Sequence, residues 1–408
     1  IVKPIYGIPQ SGRRLQRSVF PWLKDAVGLR QLDDSDSCVW VLDDDAYGGK
    51  YAGETFALGC YVDNLQIAHS AKLDADGVAV DKDSFFHFFS DAINRDWDIV
   101  DEGEMTDLLA IQVRTNADKS VTLFQEDYIN KLLSRFTPAS MTKVQKNSTP
   151  YSKDILFHVD NAKPHFDSDD DKVPHQYPEL VRPYQERCGS FMYLANGSRP
   201  DIAYATNQLC RAMTRPTPEL MIECDHMLNY LSRTRDMGIT YSPLESRLHG
   251  MSDANLHVSN STSGWVIFWQ HAPISWGSNR QKSIAQSSCE AEIMALSEAS
   301  KDMVYFRKLV GGLSSTFLSG PSDVATDNMG ARNLSYNPEH HDKSKHIERR
   351  HFYVRDMVEK MELSVPFVPT EDNIADIFTK ALAPNRFHKL RALLMGHTFE
   401  AKGEPRSH

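Results

Sequence analysis

The order of apolar patterns in the last third of the chain constrains its fold more than any other feature of the sequence. Four short runs typical of strands come first, at 248–253, 264–269, 274–276 and 283–286. A long apolar helix is predicted next, from about Glu290 to Val310. Strands and helices then alternate, at 323–326, 344–360, 364–368 and 374–382. A meander followed by such alternation predicts a mixed sheet with helices on its faces.

Four isolated acids stand where these predicted elements begin or end: Asp253, Glu290, Asp327 and Asp376. Element ends are where a mixed sheet brings distant segments together around a ligand. Converging carboxylates repel one another unless a cation lies between them, and hard oxygen ligands suit Mg²⁺ or Mn²⁺. Two such ions can activate a water and stabilise the leaving oxygen of a phosphodiester. The pattern therefore indicates cleavage of a nucleic-acid backbone.

Each acid also has a purely structural explanation, which is the better one when that acid is considered alone. Asp253 lies in good turn sequence, and Asp327 fits an ordinary strand-to-loop turn. Glu290 and Asp376 each suit the positive end of a helix. The four positions taken together weaken these explanations. Glu292 is predicted to point to another helix face and is not counted as a ligand.

A second cluster follows the predicted strand at 323–326. It contains Lys343, Lys345, His346, Arg349, Arg350 and His351. A solvated helix face is one explanation. A zinc site is less well supported, because the histidines lack a cysteine or acid at ligand spacing. Beside an acidic pocket, a strip that contacts backbone phosphates fits best.

The preceding part of the chain predicts an α+β domain and a set of packing helices. An apolar hairpin at 56–68 carries Asp63 and Asn64 at its tip. The polar segment 146–182, with an acidic run at 167–171, is predicted to be a linker or exposed loop. Three helical patterns between 188 and 231 follow it.

Composition limits the class of protein. A chain of 408 residues predicts two or three domains. Its six cysteines show no CxxC spacing, which argues against a zinc knuckle or a disulfide framework. No apolar run is long enough for a membrane helix, and the start at Ile1 has no leader. We expect an internal piece of a longer intracellular product that is not secreted, and no membrane partner.

The motifs of the last domain resemble the ribonuclease H (RNase H) domain of copia-type LTR retrotransposon Pol polyproteins. The resemblance covers about Ser246 to Leu394 and is carried by 252–254, 261–268, 274–276, 287–292, 327–328, 345–347, 368–372 and 375–380. By position, it implies that the family's metal-binding acids correspond to Asp253, Glu290, Asp327 and Asp376. It also implies two Mg²⁺ or Mn²⁺ ions and an RNA·DNA hybrid as substrate.

The resemblance extends upstream to the reverse transcriptase of the same family. The segment 5–11, with Gln10, resembles a motif near the template and the incoming nucleotide. The segment 61–64 resembles the Tyr-Val-Asp-Asp hairpin, with Asn64 in place of its second acid. The strand with the first catalytic Asp would precede Ile1. We therefore do not expect DNA synthesis by this chain alone.

The sequence thus predicts the C-terminal part of a Pol polyprotein, of class α+β or α/β. A partial reverse-transcriptase palm is expected at 1–140, a linker and helical connection at 141–245, an RNase H-like mixed sheet with flanking helices at 246–396, and a polar tail at 397–408. The expected partners are the hybrid and the rest of the polyprotein, in a cytoplasmic particle or the nucleus. A degenerate remnant that binds nucleic acid without catalysis is the alternative, and a host-adopted interaction protein has no positive support.

Overall fold

The chain, as seen in a computed structural model, forms two compact units. The first contains Ile1–Met105 and Tyr305–Phe317, and the second contains Thr106–Val304 and Leu318–His408. The structure describes residues 10–62, 64–74, 80–136, 148–162, 176–243, 247–257, 261–336 and 348–396. The predicted division at residues 140 and 245 stays a prediction. The predicted fold class, helices with mixed and antiparallel sheets, is confirmed.

The first unit is an antiparallel sheet with two helices. Its elements are α1 (Gln10–Asp25), β1 (Leu29–Leu32), β2 (Asp36–Leu42), β3 (Phe56–Tyr61), β4 (Asn64–His69) and α2 (Phe85–Asp96), with the strands in the order β1-β2-β3-β4. Aromatic side chains, among them Trp40, Phe56 and Phe89, fill the core. The predicted hairpin is β3–β4, and Val62 at its tip has a left-handed φ of 57°.

The second unit begins with a four-stranded antiparallel sheet and a helical layer. Its elements are β5 (Asp107–Leu108), β6 (Ile111–Thr115), β7 (Val121–Phe124), α3 (Glu126–Phe136), α4 (Ile155–Ala162), α5 (Pro178–Gly197), α6 (Ala203–Cys210), α7 (Pro218–Arg233) and β8 (Gly238–Tyr241). The strand order is β5-β6-β7-β8. The Thr217 side chain caps α7 by accepting a hydrogen bond from the Leu220 amide.

A mixed five-stranded sheet follows in the same unit. Its elements are β9 (Leu248–Asn255), β10 (Thr262–Trp269), β11 (Ala272–Arg280), α8 (Ser288–Leu313), β12 (Ser322–Thr326), α9 (Met329–Tyr336), α10 (Glu348–Glu359), β13 (Leu363–Ser364) and α11 (Pro384–Leu394). The last residues of α8, 305–313, belong to the first unit. The order is β11-β10-β9-β12-β13, with β12 parallel to β9 and the first three strands antiparallel. The predicted meander and mixed sheet are confirmed.

One apolar core joins the helical layer to this mixed sheet. Tyr184 of α5 and Leu228 of α7 belong to the same buried cluster as Phe268 of β10 and Phe387 of α11. Helices α3 to α7 therefore cover part of the mixed sheet and share this core with it.

Several predicted elements differ from the structure. Residues 283–286 form no strand, and Ile284 is 63% exposed. The expected linker at 146–182 contains the helix α4, whose side chains Ile155 and Val159, one helical turn apart, are buried. The acidic run at 167–171 lies outside the described residues. The closing helix is a short 3-10 helix, Ile374–Phe378, followed by α11. Within the described part of the chain, no helix has the length and hydropathy needed to cross a membrane.

Candidate metal centre

Three of the four predicted acids meet at one edge of the mixed sheet. Each of Asp253, Asp327 and Asp376 has a carboxylate oxygen within 4.8 Å of the others. The register explains the first two, because Thr326 of β12 pairs with Ser252 of β9 and the two aspartates are the next residues along these parallel strands. Parallel neighbours bring corresponding residues to the same edge.

Asp376 reaches this edge on the 3-10 helix Ile374–Phe378. The buried Asn373 side chain accepts a hydrogen bond from the Ala375 amide at 3.1 Å and donates one to the Ser252 carbonyl at 3.0 Å. This residue therefore both caps the 3-10 helix and ties it to β9 next to Asp253.

Glu290, the fourth predicted acid, lies at the start of α8. Its carboxylate accepts a hydrogen bond from the Gln286 amide at 2.7 Å, and its own amide donates to Ser287 Oγ at 3.1 Å. This reciprocal pattern resembles a capping box at the start of α8. Among the described residues, the three carboxylates that lie within 4.8 Å of one another include neither Glu290 nor Glu292. The helix-end explanation, weighed in the sequence, describes the contacts of Glu290.

Glu292 is the helical acid that faces the cluster. Burial first, and then the charges of Asp253 and Asp327, raise its pKa to about 9 against the lowering effects of an Ala254 backbone hydrogen bond and of Lys380. Glu292, which was not predicted as a ligand, therefore lies on a different face of α8 from Glu290, as predicted, and that face is turned toward the cluster. One signal was present in the sequence: Glu292 lies in the same helical stripe as Leu296 and Ala299, both fully buried.

The charges around Asp253 and Asp376 are only partly balanced. Burial, followed by repulsion from Asp376, raises the pKa of Asp253 to about 7. Lys380 Nζ lies 2.5 Å from Asp376 Oδ1 and 3.8 Å from Asp253 Oδ2. Arg386 donates to Asp376 Oδ2, and the Thr379 hydroxyl donates to Asp253. Two cations thus face a cluster of acids that also includes Asp327 and Glu292.

The donor set fits a divalent ion. All the groups are carboxylates, the hard oxygen ligands that Mg²⁺ and Mn²⁺ prefer. Glu292 Oε2 is buried and, within the described residues, has no hydrogen-bond partner, which is a costly state for a carboxylate oxygen. Positive charge at this edge would relieve both that cost and the mutual repulsion.

For most of the remaining predicted residues the structure does not describe the side chain. Lys343, Lys345 and His346 lie outside the described residues. Arg349, Arg350 and His351 lie in α10, but their side chains are not described. Of the reverse-transcriptase positions, Gln10 begins α1 without a described side chain, Asp63 lies outside the described residues, and Asn64 begins β4 as an exposed residue.

No protein-family model matches the chain. Among solved structures, the RNase H1 of Halobacterium salinarum NRC-1 matches at 16% identity over 33% of this chain and 94% of its own, with a TM-score of 0.25. The foamy viral protease-reverse transcriptase in complex with RNA/DNA hybrid matches at 12% identity over 54% of this chain and 27% of its own, with a TM-score of 0.30. TM-scores this low establish nothing about function.

The sequence relatives are more informative. The retrovirus-related Pol polyprotein from transposon TNT 1-94 of Nicotiana tabacum is 28% identical over 402 residues, which are 97% of this chain and 28% of that polyprotein. The corresponding polyprotein from transposon RE1 of Arabidopsis thaliana is 30% identical over 309 residues, 74% of this chain and 20% of its own. The chain spans less than a third of either relative. With these matches along most of its length, the chain belongs to the retrovirus-related Pol polyproteins of copia-type transposons.

Proposed function

We propose that residues 246–396 form a nuclease domain that cleaves the RNA strand of an RNA·DNA hybrid. The observation that carries this proposal is the convergence of Asp253, Asp327 and Asp376 within 4.8 Å. Family membership supports the same reaction class. Hydrolysis forms a bond between a water oxygen and phosphorus and breaks the bond from phosphorus to the leaving ester oxygen.

Asp253, Glu292, Asp327 and Asp376 are the proposed ligands of two Mg²⁺ or Mn²⁺ ions. Bound there, such ions supply positive charge that stabilises the phosphodiester oxygens and lowers the pKa of a water. Several of the side chains are already held in place. Thr379 fixes the Asp253 carboxylate and Arg386 fixes that of Asp376, so less reorganisation is needed when substrate arrives.

The proposed substrate is recognised by shape rather than by sequence. A hybrid differs from duplex DNA in its groove shape and in the 2′-hydroxyl groups of one strand. The cationic strip is proposed to contact backbone phosphates, and it contains Lys343, Lys345, His346, Arg349, Arg350 and His351. Phosphate contacts would fix the register of the hybrid without base preference.

We propose in addition that residues 1–140 are the remainder of a reverse-transcriptase palm, with a connecting region at 141–245. Asn64 offers an amide where the family's hairpin offers a carboxylate, and an amide is the weaker ligand for a divalent ion. The nuclease is therefore the proposed activity of this chain, and DNA synthesis is not.

A labelled RNA·DNA hybrid incubated with the chain and Mg²⁺ tests the proposal. We expect cleavage of the RNA strand, loss of cleavage with EDTA, and loss in Asp253→Asn. Duplex DNA of the same sequence should stay intact. Absence of cleavage by the unmutated chain, or equal cleavage by the variant, would overturn the proposal. Binding of the hybrid without cleavage would instead identify a remnant that only binds nucleic acid.

A further inference from the structure

Lys380 is the cation in direct contact with two of the candidate ligands. Its Nζ lies 2.5 Å from Asp376 Oδ1 and 3.8 Å from Asp253 Oδ2, while both aspartates are buried and the lysine side chain is 34% exposed. The ammonium group of Lys380 therefore bridges two carboxylates of the candidate metal centre. The lysine side chain is itself partly exposed to solvent.

Arg386 contacts the same acid differently. It donates to the other oxygen of Asp376 and also, at 2.5 Å, to the carbonyl of Thr370. These two acceptors hold its guanidinium group at a fixed place. Lys380 has no comparable second anchor among its described contacts, since both of its ion-pair partners are the candidate ligands themselves.

We propose that Lys380 is an exchangeable internal counter-ion, which neutralises Asp253 and Asp376 in the metal-free protein and leaves them when a divalent ion binds. Arg386 keeps its place and orients Asp376 throughout. Like charges in the same small site repel strongly, so the ammonium group and the ion cannot both remain on these carboxylates. The inference rests on the proposed metal centre but not on the hydrolytic activity.

Two consequences follow for Lys380→Met. Removal of the ammonium group leaves the buried carboxylates unbalanced, so the melting temperature in EDTA falls by about 2–5 °C. Removal of a competing cation also strengthens binding of Mg²⁺, by about tenfold in Kd. A purely structural lysine would show the first effect without the second.

Isothermal titration of the full-length chain with Mg²⁺ alone, together with melting curves in EDTA, measures both consequences. Lys380→Arg retains the charge and should stay close to the unmutated chain. Lys389→Met is the matched control, because Lys389 pairs at 3.1 Å with Asp372 outside the carboxylate cluster; it should change neither quantity by much. Unchanged or weaker Mg²⁺ binding by Lys380→Met would overturn the inference.

A measurement on the unmutated chain covers the case in which Lys380→Met does not fold. Amine acetylation followed by mass spectrometry should show faster modification of Lys380 at saturating Mg²⁺ than in EDTA, relative to Lys389. Equal rates would contradict the exchange. If no Mg²⁺ binds at all, the inference fails together with the metal centre. If Mg²⁺ binds and Lys380 is released but no hybrid is cleaved, the proposed activity fails and the exchange stands.

Discussion

Asp253 of β9 lies directly opposite Gly264 of β10, and the absence of a side chain at Gly264 allows the 3-10 helix that carries Asp376 to lie on the sheet. A Cβ atom at Gly264 would stand 2.7 Å from Phe378 Cβ and 3.0 Å from the Ala375 carbonyl. Such distances are not tolerated, so a residue without a side chain is needed there to position a carboxylate from another part of the chain.

Gly264→Ala should displace that 3-10 helix and separate Asp376 from Asp253. We expect a loss of about 1–3 kcal/mol in the free energy of unfolding and weaker Mg²⁺ binding, measured by chemical denaturation and calorimetry. Gly189→Ala, in helix α5 with nothing within 4 Å of the added methyl group, is the control and should be neutral or stabilising. Equal stabilities for the two variants would contradict the close packing.

The pair Glu292→Gln and Glu290→Gln separates the two helical acids. Glu292→Gln replaces a buried acid that must take up a proton on folding with a neutral side chain, so the metal-free protein at neutral pH should gain about 1–2 kcal/mol, while cleavage of the hybrid is lost. Glu290→Gln weakens only the start of α8 and should lose about 0.5–1 kcal/mol with cleavage retained. Thermal melts in EDTA and the hybrid assay measure both. Loss of cleavage in Glu290→Gln alone would restore the original assignment.

His249 should give the protein a stability that depends on pH. Burial, and then the charges of Arg247 and His271, lower its pKa to about 4 against a raising effect of Asp323, and its ring stacks on Phe268. The unfolded chain therefore binds a proton more readily than the folded one between about pH 4 and 6.5.

The free energy of unfolding should consequently rise with pH across that window and level off above it, with a contribution of about 1–3 kcal/mol. Urea titrations at several pH values measure this slope. In His249→Gln the part of the slope due to this residue should vanish. A slope of unchanged size in the variant would assign the pH dependence to other groups.

The buried ion pair of Arg199 and Asp201 should be sensitive to removal of one partner. Asp201 accepts two hydrogen bonds from Arg199, at 2.9 and 2.8 Å, and one from the Tyr230 hydroxyl at 2.5 Å. Asp201→Ala leaves a guanidinium group buried without its counter-charge, so we expect a loss of about 3–5 kcal/mol.

The exposed pair of Arg135 and Glu186, 2.8 Å apart, provides the comparison. Glu186→Ala should cost less than about 1 kcal/mol. Denaturant melts of both variants measure the difference. A similar cost for the two substitutions would show that burial does not govern the first pair.

Local pattern was sufficient where an element carries its own signal. The hairpin predicted at 56–68 is present as β3–β4, nearly with its predicted bounds. Strand β8 was not predicted, because its partner strand, β7, lies more than a hundred residues earlier in the chain, as the pairing of Thr122 with Thr240 shows. A strand of four residues also has little hydrophobic pattern of its own. Helix α4 was not predicted, because the sequence on both sides of it is polar.

In the candidate site, too, some residues could be predicted from local sequence and others could not. Asp253, Asp327 and Asp376 were found because each stands at or near the end of an element, a property visible in sequence. The choice between Glu290 and Glu292 depends on which side of α8 packs toward the strands, and the helix start misled the prediction toward the residue that caps it. That choice is made by tertiary packing and not by local preference.

The core shared by the helical layer and the mixed sheet determines which fragments of this protein can fold on their own. Val266 and Phe378 lie in the same buried cluster as Leu194 and Met227, so a fragment cut at residue 246 would expose one wall of that interior to water. Such a fragment should aggregate, and the region should melt in one cooperative step. We therefore expect that the smallest autonomous fragment containing the proposed nuclease domain starts near Thr106, where the compact unit starts, rather than where the resemblance to RNase H begins.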